Sequence, residues 1–118
     1  MLMEDAIVRF HTKPWNWTEL GMREDVSKEF IMKHCDYSWD WESLTEFLPF
    51  SFIQSHLNFE WNWEWLSENV DLDIILANHK LSWIWEQVSA HEDLTLDIVA
   101  KNLNLPWDWE VLSEIDVD

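Results

Sequence analysis

The pair Trp-x-Trp occurs five times in this sequence of 118 residues, at a nearly constant spacing. Successive pairs begin 24, 22, 22 and 24 residues apart. The pairs are Trp15/Trp17, Trp39/Trp41, Trp61/Trp63, Trp83/Trp85 and Trp107/Trp109. A fixed period in this range is typical of repeat architectures, in which each unit packs on its neighbours. The spacing therefore predicts a chain of similar units, and such a chain usually offers a surface rather than a pocket.

The repeat accounts for nearly the whole sequence. The Trp pairs define full repeats at 15–38, 39–60, 61–82 and 83–106 and a half repeat at 107–118. The segment DAIVRFHTKPW (5–15) aligns with DIVAKNLNLPW (97–107), so residues 1–14 form the complementary half repeat. We therefore expect a single α-helical repeat domain, residues 1–118.

The first half of each unit carries the signals of a helix start and reads W-[N/D]-W-E-x-L-S, as in WNWEWLS (61–67). The Asn or Asp between the tryptophans is a residue type that caps a helix by accepting from a backbone N–H two or three positions on. The Glu that follows suits the positive end of the helix dipole. With Asp40 as N-cap, Trp39 and Leu44 occupy the two positions of a hydrophobic staple. Ile84 breaks the pattern, because its side chain cannot cap.

The second half of each unit predicts another short helix. Ser27, Asp71 and Thr95 are cap-type residues that precede apolar runs, and Pro49 takes their place in repeat two. Helices of two turns are unstable alone in water and persist only if neighbouring units bury them. One glycine and three prolines are also too few turn residues for an all-β fold. We predict an all-α fold, an α-solenoid of about ten short helices in repeats of 22–24 residues.

The net charge of −17 is unevenly distributed. Residues 1–33 hold five Lys or Arg and six Asp or Glu, whereas residues 34–118 hold two and eighteen. This balance argues against binding of nucleic acid and of anionic membrane surfaces, and no apolar run is long enough for membrane insertion. Two interpretations stay open: the acids keep a tryptophan-rich protein in solution, or they bind a basic partner along the C-terminal two-thirds.

No catalytic or metal-binding constellation stands out. Cys35 is the only cysteine, so it cannot form an internal disulfide, and we expect a small buried residue in a reducing compartment. His34 and His56 share a repeat position with Asn78 and Asn102, which predicts a side chain bonded to the backbone near the helix end rather than a metal ligand. Since a Gly-rich phosphate loop and a nucleophile elbow are also missing, we expect no enzyme activity and no cofactor.

The ten paired tryptophans are expected to form the structural core rather than platforms for sugars or bases, since they recur at staple positions. Trp65 is the only tryptophan outside the pairs. Its repeat position otherwise holds Glu19, Ser43, Gln87 and Val111, a set that predicts exposure. With Phe47 and Phe50, which flank Pro49, Trp65 forms a candidate partner-binding site, the aromatic patch. The alternatives are that Trp65 fills a local gap and that the phenylalanines pack around Pro49.

The motif W-[D/N]-W-x-x-L-S, followed by a capped helix with D/E-I-V, resembles the tryptophan-repeat proteins of giant and other large DNA viruses. The resemblance covers residues 5–118 and is fullest in VSAHEDLTLDIVAKNLNLPWDWEVLS (88–113). The sequence departs from that family by lacking its Asn-Pro-Asn turn. It carries His91-Glu92-Asp93 or a shorter segment there. The resemblance implies a viral repeat protein that is not an enzyme.

We therefore expect a non-catalytic structural or protein-interaction element, a minor capsid-associated component of a large DNA virus particle. The alternative is a host-directed adaptor that binds a cellular protein through an acidic or aromatic face. The expected partners are proteins, including other virion proteins or further copies of the chain. The start MLMEDAIV carries acids where a signal peptide needs basic residues, which predicts a location in the virion or host cytoplasm and not secretion.

The two ends of the repeat carry apolar residues like those of the internal units. They are Leu2, Ile7 and Val8 at one end and Trp107, Trp109 and Val111 at the other. Because solenoids usually need polar terminal caps, we expect another chain to cover at least one end.

Overall fold

The computed structural model describes residues 1–115, so the last three residues of the half repeat 107–118 lie outside the described part. The chain forms two compact units, Met1–Asn62 and Trp63–Asp118, the second described up to residue 115. Residues 1–115 contain ten α-helices and no strand. The predicted all-α class is therefore confirmed. None of these helices is long and apolar enough to cross a membrane.

The helices follow the repeat of the sequence. The first unit contains α1 (Met3–Arg9), α2 (Trp17–Gly21), α3 (Lys28–Lys33), α4 (Trp41–Leu44) and α5 (Phe50–Ser55), with a 3₁₀ helix at Thr45–Phe47. The second contains α6 (Trp63–Asn69), α7 (Leu72–Ala77), α8 (Trp85–Ser89), α9 (Leu96–Lys101) and α10 (Trp109–Leu112). Each even-numbered helix begins at the second Trp of a pair, and each odd-numbered helix precedes a pair.

Side-chain caps start three of the even-numbered helices. The side chains of Asn16, Asp40 and Asp108 accept hydrogen bonds of 3.1–3.2 Å from the backbone N–H three residues on, which confirms the predicted N-caps. Ile84 stands at the same position before α8 and makes no side-chain cap bond, as its apolar side chain requires.

The odd-numbered helices begin by more than one route. Ser27 and Thr95 cap α3 and α9 through their hydroxyl oxygens, as predicted. Pro49 occupies the N-cap position of α5. Asp71 occupies the predicted N-cap position of α7, but its side chain makes no cap hydrogen bond. Its side chain is exposed, and the open first turn of a helix at the surface can be satisfied by water.

Each odd-numbered helix ends at a residue whose carbonyl accepts two hydrogen bonds. These residues are Phe10, His34, His56, Asn78 and Asn102, with φ between −112° and −135° and ψ between 28° and 50°. One bond comes from the backbone N–H three residues on, at 2.9–3.1 Å. The other comes from the indole N–H of the first Trp of the next pair, five residues on, at 2.8–3.0 Å. The first Trp of every pair therefore closes the end of the preceding helix.

Two rows of aliphatic side chains fill the core of the units. The odd-numbered helices contribute Ile7, Ile31, Ile53, Ile75 and Val99, and the even-numbered helices contribute Leu20, Leu44, Leu66, Val88 and Leu112. All ten are buried, and all recur at one repeat position each. The row from the odd-numbered helices includes Ile7. It is fully buried in α1, although the sequence predicted an uncovered apolar surface at this end of the repeat.

A buried hydroxyl links one repeat to the next. Ser67 donates to the Trp63 carbonyl at 2.7 Å and accepts from the backbone N–H of Ile84, the residue between the next two tryptophans, at 2.8 Å. Thr45 does the same with the N–H of Asn62, and Ser89 accepts from the N–H of Asp108. The recurring Ser or Thr of the sequence motif is therefore a bridge between neighbouring repeats.

The first repeat has glycine in place of this hydroxyl. A Cβ atom on Gly21 would lie 3.1 Å from Cδ2 of Leu44, so any larger residue would press on the core. The link is made instead by Thr18, whose hydroxyl donates to the carboxylate of Asp40 at 2.7 Å. Asp40 thereby joins α2 to the start of α4 while capping α4.

We expect Trp61→Ala to lower the free energy of unfolding by about 3–5 kcal/mol, because it empties a buried aromatic site. Trp61→Phe should cost less, since it keeps most of the ring but leaves the His56 carbonyl one bond short. Chemical denaturation followed by circular dichroism measures both. Equal stability of Trp61→Phe and wild type would show that the indole N–H contributes nothing.

Ser67→Ala should cost about 1–3 kcal/mol, because the N–H of Ile84 then loses its partner in a buried site. Ser113→Ala is the matched control. Ser113 is exposed and donates only to the carbonyl of Trp109 within its own helix. That control should change stability by less than about 0.5 kcal/mol. If both variants unfold at the same denaturant concentration, the bridge does not stabilise the fold.

Candidate functional site

The aromatic patch is distributed over both units. Phe47 ends the 3₁₀ helix with 45% of its surface exposed, and the ammonium nitrogen of Lys28 lies 4.9 Å from its ring centroid. Phe50 is half-buried at the first position of α5. Trp65 is half-buried on α6, in the second unit. Its predicted exposure is therefore only partial, and its role in binding stays a prediction.

Within each unit, the paired tryptophans pack in rows that continue from one repeat to the next. The second Trp of one pair contacts the first Trp of the next pair, edge-on or tilted. The pairs are Trp17–Trp39, Trp41–Trp61, Trp63–Trp83 and Trp85–Trp107, with ring centroids 4.9–5.4 Å apart. Such aromatic pairs add to the stabilisation from burial alone. The tryptophans of the interior are therefore occupied by structural contacts.

The rows leave two incomplete contacts. The first Trp of a pair is 4–6% exposed in Trp39, Trp61, Trp83 and Trp107, whereas Trp15 is only half-buried. The second Trp is half-buried in four pairs, whereas Trp109 is 57% exposed. Trp15 lacks a second Trp packed against it, and Trp109 lacks a first Trp, within the described residues.

Acidic residues flank Trp109 in the sequence and line a cleft to which its own ring does not contribute. A shallow cleft in the second unit is lined by Glu86, Asp108, Glu110, Val111 and Glu114. A neighbouring cleft shares Val111 and Glu114 and adds Ser89, Ala90, His91 and Ile115. We call the face formed by Trp109, Glu110, Val111, Ser113 and Glu114 the C-terminal surface. It combines one exposed indole with several carboxylates.

The surface around Trp15 is apolar and basic. Leu2 is 75% exposed, and Val8 and Phe10 are also exposed on or beside α1. Arg9 and Lys13 are exposed in the same segment, and the guanidinium carbon of Arg9 lies 5.3 Å from the Phe10 ring centroid. We call the face formed by Arg9, Phe10, Lys13, Trp15 and Asn16 the N-terminal surface.

The histidines and the cysteine serve structural contacts. His56 contacts the Phe52 carbonyl through Nδ1 at 2.9 Å, and Asn78 and Asn102 donate to the carbonyl four residues back, which confirms the predicted backbone bonding at this position. His34 instead stacks on Tyr37 and packs at a tilt against Phe30.

The nearest approach to a reactive pair is Cys35 with His56. Sγ of Cys35 lies 4.0 Å from Nε2 of His56, and Cys35 is half-buried rather than buried. Neither residue lines the clefts described above. Among residues 1–115, no three His, Cys, Asp or Glu side chains are grouped to hold a metal ion, and no buried side-chain nitrogen or oxygen lacks a partner.

His91 is a polar core residue that the sequence analysis missed. Its Nε2 lies 3.0 Å from the Val70 carbonyl, and its Nδ1 accepts from the backbone N–H of Asp93 at 3.1 Å. Since Nδ1 is an acceptor, Nε2 carries the proton and donates. His91 therefore braces the segment between α8 and α9. The two extra residues of the fourth repeat at this point were the only signal in the sequence.

Among the N-cap residues of the even-numbered helices, Asp40 has the clearest shift in pKa. The hydroxyl of Thr18 is the largest cause that lowers the pKa of Asp40 below its ordinary value, and bonds from Ser43 and the start of α4 act in the same direction. Partial burial opposes them. A carboxylate with a lowered pKa stabilises the fold above its unfolded pKa of about 3.9, and this contribution is lost as the pH falls through the folded value.

We expect Thr18→Val to raise the pKa of Asp40 toward its ordinary value. The variant should then lose less stability than the wild type when the pH falls below about 4. Ser43→Ala is the comparison, because it keeps the Thr18 bond and should raise the pKa less. Carboxyl-carbon NMR titration of Asp40 measures both shifts. An unchanged pKa in Thr18→Val would contradict the assignment of the largest cause.

Comparison with known proteins adds no relative: no family model, no curated protein and no solved structure matches the chain.

Proposed function

We propose that the chain is a single α-solenoid that works as a structural or protein-interaction element and not as an enzyme. The observation that carries the proposal is the repetition of one set of contacts. In each repeat an indole N–H closes the preceding helix, and an aromatic pair joins each Trp pair to the next within its unit. Chains built this way gain their function from an extended surface.

The composition of that surface favours a protein partner with basic side chains. The paired tryptophans are largely used in internal contacts, while most carboxylates of the strongly acidic segment 34–118 are exposed. Complementary charge mainly raises the rate and specificity of association. We expect such a partner to be released as the salt concentration rises.

The narrower role, a minor capsid-associated protein of a large DNA virus, rests on the resemblance of the repeat motif. Mass spectrometry of purified particles tests it. Presence at a constant ratio to the major capsid protein supports the role. Absence from particles, together with a host protein that co-purifies from infected cells, supports the adaptor instead.

The solenoid itself is tested by small-angle X-ray scattering extrapolated to low concentration. A compact chain of this length has a radius of gyration of about 13–14 Å, and a single array of stacked repeats should exceed that value.

Affinity purification of the full chain at low salt tests the interaction role. A protein recovered in stoichiometric amount and lost at high salt supports it. Recovery of the chain alone, or a turnover activity abolished by one carboxylate substitution, would contradict it.

A further inference from the structure

The C-terminal surface repeats one half of a contact that the chain makes four times internally. Trp17, Trp41, Trp63 and Trp85 each pack against the first Trp of the next pair. Trp109 holds the same position in its pair and is 57% exposed. The N-terminal surface carries the other half, because Trp15 is the one first Trp that is not fully buried.

The hydrogen bond between neighbouring repeats also has its acceptor residue on the C-terminal surface and its donor residue on the N-terminal surface. Thr45, Ser67 and Ser89 accept from the backbone N–H of the residue between the next two tryptophans at 2.8–3.0 Å. Ser113 holds the corresponding position and is exposed, with its hydroxyl proton directed to the Trp109 carbonyl. Its oxygen can therefore still accept. Asn16, which stands between Trp15 and Trp17, is exposed on the N-terminal surface.

The charges of the two surfaces are complementary. Glu110 and Glu114 line the acidic cleft of the C-terminal surface, and Arg9 and Lys13 are exposed on the N-terminal surface. Although each chain carries a net charge of −17, charges more than about 8 Å apart are largely screened at physiological salt. Local pairs across a contact are screened less, so they outweigh the overall repulsion at this point.

Lys13 gives the contact its chemical specificity. Four positions correspond to Lys13. Two hold Tyr37 and Phe59, whose rings lie 6.2 Å and 4.8 Å from the rings of Trp17 and Trp41, and the other two hold Leu81 and Leu105. The same register would set the ammonium group of Lys13 against the ring of Trp109. A Lys ammonium over a Trp ring is attracted by the ring quadrupole.

We propose that the C-terminal surface of one copy binds the N-terminal surface of a second copy, head to tail, so that Trp109 packs on the second copy's Trp15 and Lys13. The proposal rests on the proposed interaction role and names the partner of one face. The contact is heterologous, because different surfaces of the two copies meet. It can therefore continue to further copies or close into a ring.

Sedimentation equilibrium of the purified full chain at physiological salt tests the proposal. The weight-average mass of the wild type should rise above the monomer mass of 14.4 kDa with concentration. Trp109→Ala and Lys13→Glu should both stay monomeric, since each removes one half of the contact. Leu57→Ala and Lys80→Glu are the matched controls, because both residues are exposed and lie on neither surface. Both controls should associate like the wild type.

Mixing the two defective variants gives the decisive result. Lys13→Glu keeps an intact C-terminal surface and Trp109→Ala keeps an intact N-terminal surface, so an equimolar mixture should form a dimer and nothing larger. Circular dichroism verifies that each variant is folded. Part of the association should be restored by Trp109→Phe, which retains an aromatic ring, and by Lys13→Arg, which retains the charge.

Three results would overturn the proposal: a wild type that stays monomeric up to about 1 mM, association of Lys13→Glu like that of the wild type, or a mixture that remains monomeric. A monomeric wild type would leave the proposed interaction role standing, because affinity purification tests that role separately.

Discussion

The hydrogen bond from an indole N–H to the last carbonyl of the preceding helix is the interaction on which the rest of the fold depends. Helix ends leave carbonyls unsatisfied, and many proteins solve this with a glycine in the left-handed region. The single glycine of this chain lies in α2, and no residue of the described part has a positive φ. Tryptophan takes over the function of the missing glycine cap, five residues beyond the C-cap residue of each odd-numbered helix.

This solution places each tryptophan where it can serve several contacts. The indole that closes one helix is also buried and packs against the second Trp of the preceding pair, as Trp39 does against Trp17. The next helix then begins two residues later, with Asp40 or its counterpart as cap. Helix end, turn, helix start and contact between repeats are thus fixed within a few residues. Helices of four to seven residues can persist under such constraints although they are unstable alone.

The sequence predicted those parts of the fold that depend on neighbouring residues. The caps Asn16, Asp40 and Asp108, and the start of each even-numbered helix at the second Trp, follow from short-range signals. Asp71 was predicted by the same rule and stands at the N-cap position of α7, but its side chain makes no cap bond. An exposed helix start can use water instead, and residue type does not reveal that choice. The double role of Ser67 was also not predicted, because its partner lies seventeen residues away.

The candidate site was harder to predict than the fold. The sequence directed attention to Trp65 because it breaks the pattern, but the most exposed indole of the five pairs belongs to Trp109, which obeys it. The ring contact decides the difference, since no first Trp packs against Trp109 within the described residues. The charge asymmetry between residues 1–33 and the rest of the chain was visible in the sequence. Only the structure shows that Glu110 and Glu114 line one cleft.

Hydrogen exchange of the indole N–H groups, which NMR resolves individually, tests whether these groups close the helix ends. We expect slow exchange for Trp39, Trp61, Trp83 and Trp107, whose N–H groups are bonded to helix-end carbonyls in buried sites. Exchange should be faster for the second Trp of each pair and fastest for Trp109. Similar exchange rates for first and second tryptophans would contradict this role of the indole bond.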